Sequence, residues 1–126
     1  QFPFYPGTGD RSERGTGKGL DYTLNIPMRA GTGELEYLEA FQNTILPALD
    51  RYKPELIIIS AGFDAHTDDP LANINLTESS FAAFTSIIMD AAHRCCDGKI
   101  VSVLEGGYNL QALARSVESH ISTLVG

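Results

Sequence analysis

Leu56-Ile57-Ile58-Ile59-Ser60-Ala61-Gly62-Phe63-Asp64 decides how this chain folds. Leu56–Ile59 is too short an apolar run for a helix, and three β-branched residues favour a strand buried on both faces. The run stops at small residues followed by a carboxylate. Downstream, Thr77 is a good N-cap for a helix over 77–96, with Phe81, Phe84, Ile88, Ala91 and Cys95 in one stripe. Asp97-Gly98 stops that helix. Ile100-Val101-Ser102-Val103-Leu104 reads as a second buried strand. A last helix begins near Asn109, with Leu110, Leu113, Val117, Ile121 and Leu124 on one side.

Upstream of Leu56 lies another helical pattern over residues 34–52, carrying Leu35, Leu38, Phe41, Ile45, Leu49 and Tyr52. Glu34 and Glu36 suit the positive end of its dipole. Pro47 falls inside the pattern and predicts a kink or break near Asn43–Leu46, since an interior proline costs roughly 3 kcal/mol. Tyr22-Thr23-Leu24-Asn25-Ile26 alternates, carries β-formers and ends at Pro27, which predicts a short strand. Residues 1–21 are rich in Gly and Pro and read as loop. The order loop-β-α-β-α-β-α implies parallel strands joined by right-handed crossovers, an α/β fold.

The 126 residues suit a single domain, with 43% hydrophobic and 20% charged residues. Nine Lys+Arg against 16 Asp+Glu leave a net charge of −7. That argues against direct nucleic-acid binding, which needs a basic face. Nothing approaches the ~20 apolar residues of a membrane span. Gln1-Phe2-Pro3-Phe4 is neither a signal peptide nor an initiator start, and the chain reads as a piece of something larger. Cys95 and Cys96 are adjacent, which suits two small apolar helix residues in a reducing, cytoplasmic setting.

Ligands of open α/β sheets bind beyond the carboxyl ends of the strands. Ala61-Gly62-Phe63-Asp64-Ala65-His66 and Glu105-Gly106-Gly107-Tyr108 occupy that position. If the two strands are neighbours, Asp64 and Tyr108 emerge at one edge, either as a metal ligand beside a hydrogen-bond donor or as a capped loop. Nucleotide motifs fail. Gly17-Lys18 is followed by Gly19 and preceded by Ser12 where a P-loop needs glycine, and no strand leads into Gly7 and Gly9.

Tyr5-Pro6-Gly7-Thr8-Gly9, Ser60-Ala61-Gly62-Phe63-Asp64-Ala65-His66 with Asp69-Pro70-Leu71, and Leu104-Glu105-Gly106-Gly107-Tyr108-Asn109-Leu110 occur in this order. Together they make the chain resemble the C-terminal half of a histone deacetylase or acetylpolyamine amidohydrolase domain, on the class II side. The resemblance implies a three-layer α/β/α arginase/deacetylase-like fold with a parallel sheet. Here it would be incomplete, a β-α-β-α-β-α portion with residues 1–126 forming one part of a single domain. It implies that Asp64 is one ligand of a zinc ion. Tyr108 would be the catalytic residue that donates to the scissile carbonyl. Tyr5 and Leu71 would line the substrate tunnel, with Gly106 and Gly107 letting the backbone crowd the substrate. The Tyr22 carbonyl would hold a structural potassium ion. His66 is not a zinc ligand by this resemblance, Asp68 and Asp69 are turn and supporting groups, and His93 and His120 have no chemical role.

The family's paired histidines and its other two zinc ligands would precede Gln1. The resemblance also places the strand matching Tyr22–Ile26 as an outer strand, separated from Leu56–Ile59 by two strands that would lie upstream of this chain. The expected activity is zinc-dependent removal of an acetyl group from an acetyl-lysine or acetylated amine, with this chain inactive alone. Its open sheet edges would take the missing N-terminal half or a second copy. A non-catalytic, truncated deacetylase-like interaction module is the alternative. Arginase-like ureohydrolase chemistry is a third reading, disfavoured by Gly106-Gly107-Tyr108.

Overall fold

Thr77 begins the longest element, as its extended backbone and following acidic residue dictate. In the computed structural model, which describes residues 2–126, helix α3 runs Glu78–Cys96 with Thr77 as N-cap. The Thr77 N–H donates to Ser80 Oγ at 3.2 Å. Asp97 (φ 52°) and Gly98 (φ 73°) turn left-handed and end the helix. Helix α4 spans Leu110–Val125. Asn109 Oδ1 accepts from the N–H groups of Gln111 and Ala112, both at 3.1 Å.

The 34–52 pattern forms α1 (Glu34–Ala40), a π-helical turn (Phe41–Ile45) and α2 (Leu46–Tyr52). Gly33 is the N-cap, and its N–H donates to Glu36 Oε2 at 3.1 Å. The predicted irregularity falls where Pro47 demands it. A proline cannot donate to the carbonyl four residues back and clashes with it, and a widened turn relieves both.

Strand β1 is Ile57–Ala61 and β2 is Ile100–Leu104; they pair in parallel with Ile57 opposite Ile100 and Ala61 opposite Leu104. The parallel α/β reading therefore holds. β2 has the predicted bounds, while β1 starts one residue later than Leu56 and extends through Ser60 and Ala61.

Two expectations are corrected. Tyr22–Ile26 is not a strand: among the described residues the sheet has two strands, and this segment has no ladder partner. It lies along α2 instead, with the Tyr22 and Tyr52 rings edge to face at 5.9 Å. β-propensity without a neighbouring strand does not make a strand. Nor are β1 and β2 buried on both faces. Ile58 is 65% exposed, and Val101 and Val103 are exposed as well. Among the described residues, only the face bearing Ile59 is packed.

On that face Ala61, Phe63, Ile74, Leu76, Phe81 and Phe84 form the core. Phe84 stacks on Tyr37 at 5.5 Å and on Phe41 at 5.0 Å, docking α1 onto α3. His120 joins three elements. Its Nδ1 lies 2.6 Å from Thr85 Oγ1 and its Nε2 2.9 Å from Ser102 Oγ. Thr85 donates its own proton to the Phe81 carbonyl, so the histidine proton sits on Nδ1 and Nε2 accepts from Ser102.

Candidate functional site

The two strand ends meet as the register requires. The Glu105 N–H donates to the Ala61 carbonyl at 3.0 Å, and the Phe63 N–H donates to the Gly106 carbonyl at 2.8 Å. These bonds carry the ladder past the strands and bring the Asp64 loop against the Gly106-Gly107 loop.

Asp64 is half-buried between two glycines. A Cβ on Gly106 would lie 2.8 Å from Asp64 Cγ and 2.9 and 3.0 Å from its oxygens. One on Gly62 would lie 2.9 Å from Oδ1. Both are closer than real Cβ contacts, so the missing side chains are what admit the carboxylate. Gly107 has another reason to be glycine: its φ is +145°, and a Cβ there would meet Leu113 Cδ1 at 2.7 Å.

Asp64 also lines a cavity of about 410 Å³ whose walls include Tyr37, Phe63, Phe81, Phe84 and His120. Burial, and secondarily the charge of Asp64, pushes the Tyr37 hydroxyl pKa up. Burial lowers that of His120.

Tyr108 is 57% exposed, and its backbone is anchored to the other loop. Its N–H donates to Asp69 Oδ2 at 2.9 Å. Asp69 Oδ1 accepts from the Leu71 N–H at 2.9 Å and the Ala72 N–H at 3.3 Å. Leu71 is thus held near Tyr108, with its side chain 54% exposed. His66 is buried and turned to other partners. Its Nδ1 accepts from the Asp68 N–H at 3.0 Å, and its Nε2 lies 3.4 Å from Glu78 Oε1. Arg115 hydrogen-bonds Glu78, holds its carboxyl pKa down to about 2, and reaches Asp68 at 3.3 Å.

The structure thus brings Asp64, Leu71, Gly106, Gly107 and Tyr108 to one edge. It leaves Tyr5 (90% exposed) in the N-terminal loop and Tyr22 (72% exposed) beside α2. Sequence reasoning reads Asp69 as a turn and supporting group, as its bonds to the Leu71, Ala72 and Tyr108 N–H groups bear out, and misses the parts of Gly62 and Tyr37. The signal for Asp69 is local, because an Asp just before Pro is a typical turn residue that accepts from backbone N–H groups beyond it. Tyr37 acts across the fold and carries no local signal, while Gly62 stands two residues before Asp64 and its part emerges only with Gly106 on the other side of the carboxylate.

Among the described residues, no three His, Cys, Asp or Glu side chains converge as a metal cage. Asp64 in its glycine cradle fits as one donor, but these residues do not complete the tetrahedral set of a zinc site. What the chain supplies at the edge is one carboxylate and one phenol.

Parallel strands ending in paired loops, with the polar groups beyond their carboxyl ends, define a strand-edge site of an α/β domain. The chain belongs to the histone deacetylase family: the family model "Histone deacetylase domain" matches residues 1–124. It is 43% identical to "Histone deacetylase 14, chloroplastic" of Arabidopsis thaliana, over 97% of this chain and 29% of that protein. A "Probable deacetylase" of Archaeoglobus fulgidus is 44% identical, over 88% of this chain and 31% of its own length. The crystal structure of the HDA15 HD domain matches with a TM-score of 0.91 at 40% identity, covering 98% of this chain and 34% of that one. The chain therefore spans about three-tenths of the length of the curated relatives it matches.

Proposed function

We propose that this chain is the C-terminal part of a single zinc-dependent deacetylase domain, hydrolysing the amide of an acetyl-lysine or acetylated amine. One observation carries the reading: the register of β1 and β2 places a glycine-cradled carboxylate and an anchored tyrosine at one strand edge. Asp64 supplies one metal donor. Tyr108 donates a hydrogen bond to the substrate carbonyl as charge develops on its oxygen, a contribution of roughly 3 kcal/mol or more. When bound, zinc supplies Lewis-acid polarisation. Leu71, Gly106 and Gly107 line the path of the acyl-bearing stem at this edge; the family resemblance, not the edge geometry, assigns Tyr5 of the N-terminal loop to the same wall and the Tyr22 carbonyl to a potassium ion.

The remaining zinc donors come from polypeptide outside residues 1–126, which docks on the open sheet edges and on the bare face carrying Ile58, Val101 and Val103. The family names of the relatives and the fraction of them that this chain spans support this division. Free Cys95 and Cys96 fit a reducing compartment, and we assign the cytoplasm. A non-catalytic interaction module is the second reading, favoured for the isolated chain by the lack of a metal cage among its described residues.

The test is acetyl-lysine hydrolysis by the assembled domain. Tyr108→Phe should lower turnover at least a hundredfold while zinc stays bound, and unchanged turnover would refute the role. Zinc-dependent hydrolysis by the purified 126-residue chain, abolished in Asp64→Ala, would refute the division of the site.

A further inference from the structure

We propose that Asp69 is the positioning residue of Tyr108, fixing the backbone from which the phenol projects. This rests on the reading of Tyr108 as the donor to the substrate carbonyl.

Tyr108 follows two glycines, the second at φ +145°, and its ring is more exposed than buried. Side-chain packing therefore does little to hold it, and a Gly-Gly lead-in leaves the backbone free. The one side chain that bonds its backbone N–H is Asp69, at 2.9 Å. Asp69 is itself secured: its other oxygen takes the Leu71 and Ala72 N–H groups, and its own N–H donates to the carbonyl of buried His66 at 2.9 Å. A second bond runs in parallel, from Asn109 Nδ2 to the Asp68 carbonyl at 3.1 Å. The Asp68-Asp69 turn thus staples the loop after β2 to the loop after β1.

The arrangement requires a carboxylate. Three N–H donors converge on two acceptor oxygens, and an amide offers one oxygen with two further donors. Asp69→Asn keeps the shape and turns one of the two bonding sides into donor facing donor.

The experiment uses the assembled deacetylase carrying residues 1–126. In Asp69→Asn, hydrogen exchange at the Tyr108 amide should accelerate at least tenfold while amides within α3 keep their protection. Turnover should fall ten- to a hundredfold, with KM within twofold and zinc content unchanged. In a Tyr108→Phe background, Asp69→Asn should cost less than a further twofold, because it acts through the phenol. If Asp69→Asn does not fold, Asn109→Ser, which keeps a helix cap but frees the Asp68 carbonyl, should raise Tyr108 exchange at least threefold. Unchanged Tyr108 exchange overturns the inference, as does an equal Asp69→Asn loss with and without the phenol. Full turnover in Tyr108→Phe overturns the reading of Tyr108 itself, an outcome distinct from either.

Discussion

Replacing Gly106 by Ala adds one methyl group where the Asp64 carboxylate lies. The new Cβ would sit 2.8–3.0 Å from three carboxylate atoms, and ordinary contact begins near 3.4 Å. The carboxylate must therefore retreat by about 0.5 Å toward Gly62, where space exists only because that residue too lacks a Cβ, which would lie 2.9 Å from Oδ1. The escape is a twist off the preferred rotamer, which costs roughly 0.5–1.5 kcal/mol for a 30° departure. Gly106 does not have a positive φ, so alanine adds no left-handed strain. Stability should thus fall by about 1 kcal/mol, read as a shift in the urea midpoint. Metal affinity should fall further, by roughly 10–100-fold, because disturbing the support of a ligating group has that effect. The assay is zinc competition with a chromophoric chelator on the assembled domain. Zinc affinity within twofold of wild type would show that the cradle does not position a metal donor. A stability loss above about 3 kcal/mol would show that the glycine serves the fold instead.

Two further outcomes follow from the packing. Phe84→Ala removes the ring stacked between Tyr37 and Phe41 and should destabilise the protein by about 3–5 kcal/mol; an equilibrium denaturation loss below 1 kcal/mol would contradict the docking of α1 onto α3. Burial lowers the pKa of His120, so the unfolded chain takes up a proton first as pH falls. The stability owed to neutral His120 is whole above about pH 6.5 and lost as pH drops toward the folded value. The stability difference between wild type and His120→Asn should therefore shrink from pH 7.5 to pH 5.5, and a constant difference would refute the assignment.

Local chemistry was the legible part of the sequence. Thr77, Asn109 and Asp97-Gly98 mark helix ends through their own side chains or left-handed turns, so their boundaries needed no tertiary knowledge. Pro47 marked its own disturbance for the same reason. Asp64 and Tyr108 could be placed at one edge because parallel pairing sends both strand ends the same way. What was illegible depends on partners distant in the chain. Tyr22–Ile26 has strand composition, yet a strand exists only beside another strand. Three isoleucines in a row read as doubly buried, but burial of Ile58 requires something to cover it. The Gly106 side of the cradle around Asp64 and the clamp from Asp69 to Tyr108 join residues about 40 positions apart, beyond any periodicity.

The widened turn at Phe41–Ile45 is in effect one extra residue carried within a helix. Deleting that residue would return the backbone to a regular spiral and leave α2 in nearly the same phase relative to α1, because the turn already absorbs it. Tightening the turn without removing a residue is the damaging change: each α-helical residue advances the helix by roughly 100°, so α2 would rotate by about that angle relative to α1. Tyr52 would swing away from Tyr22, and Ile45 and Leu49 would leave the cleft they share with residues 21–26. The segment thus tolerates loss of one residue more readily than straightening at constant length, and Pro47 holds it in the widened form.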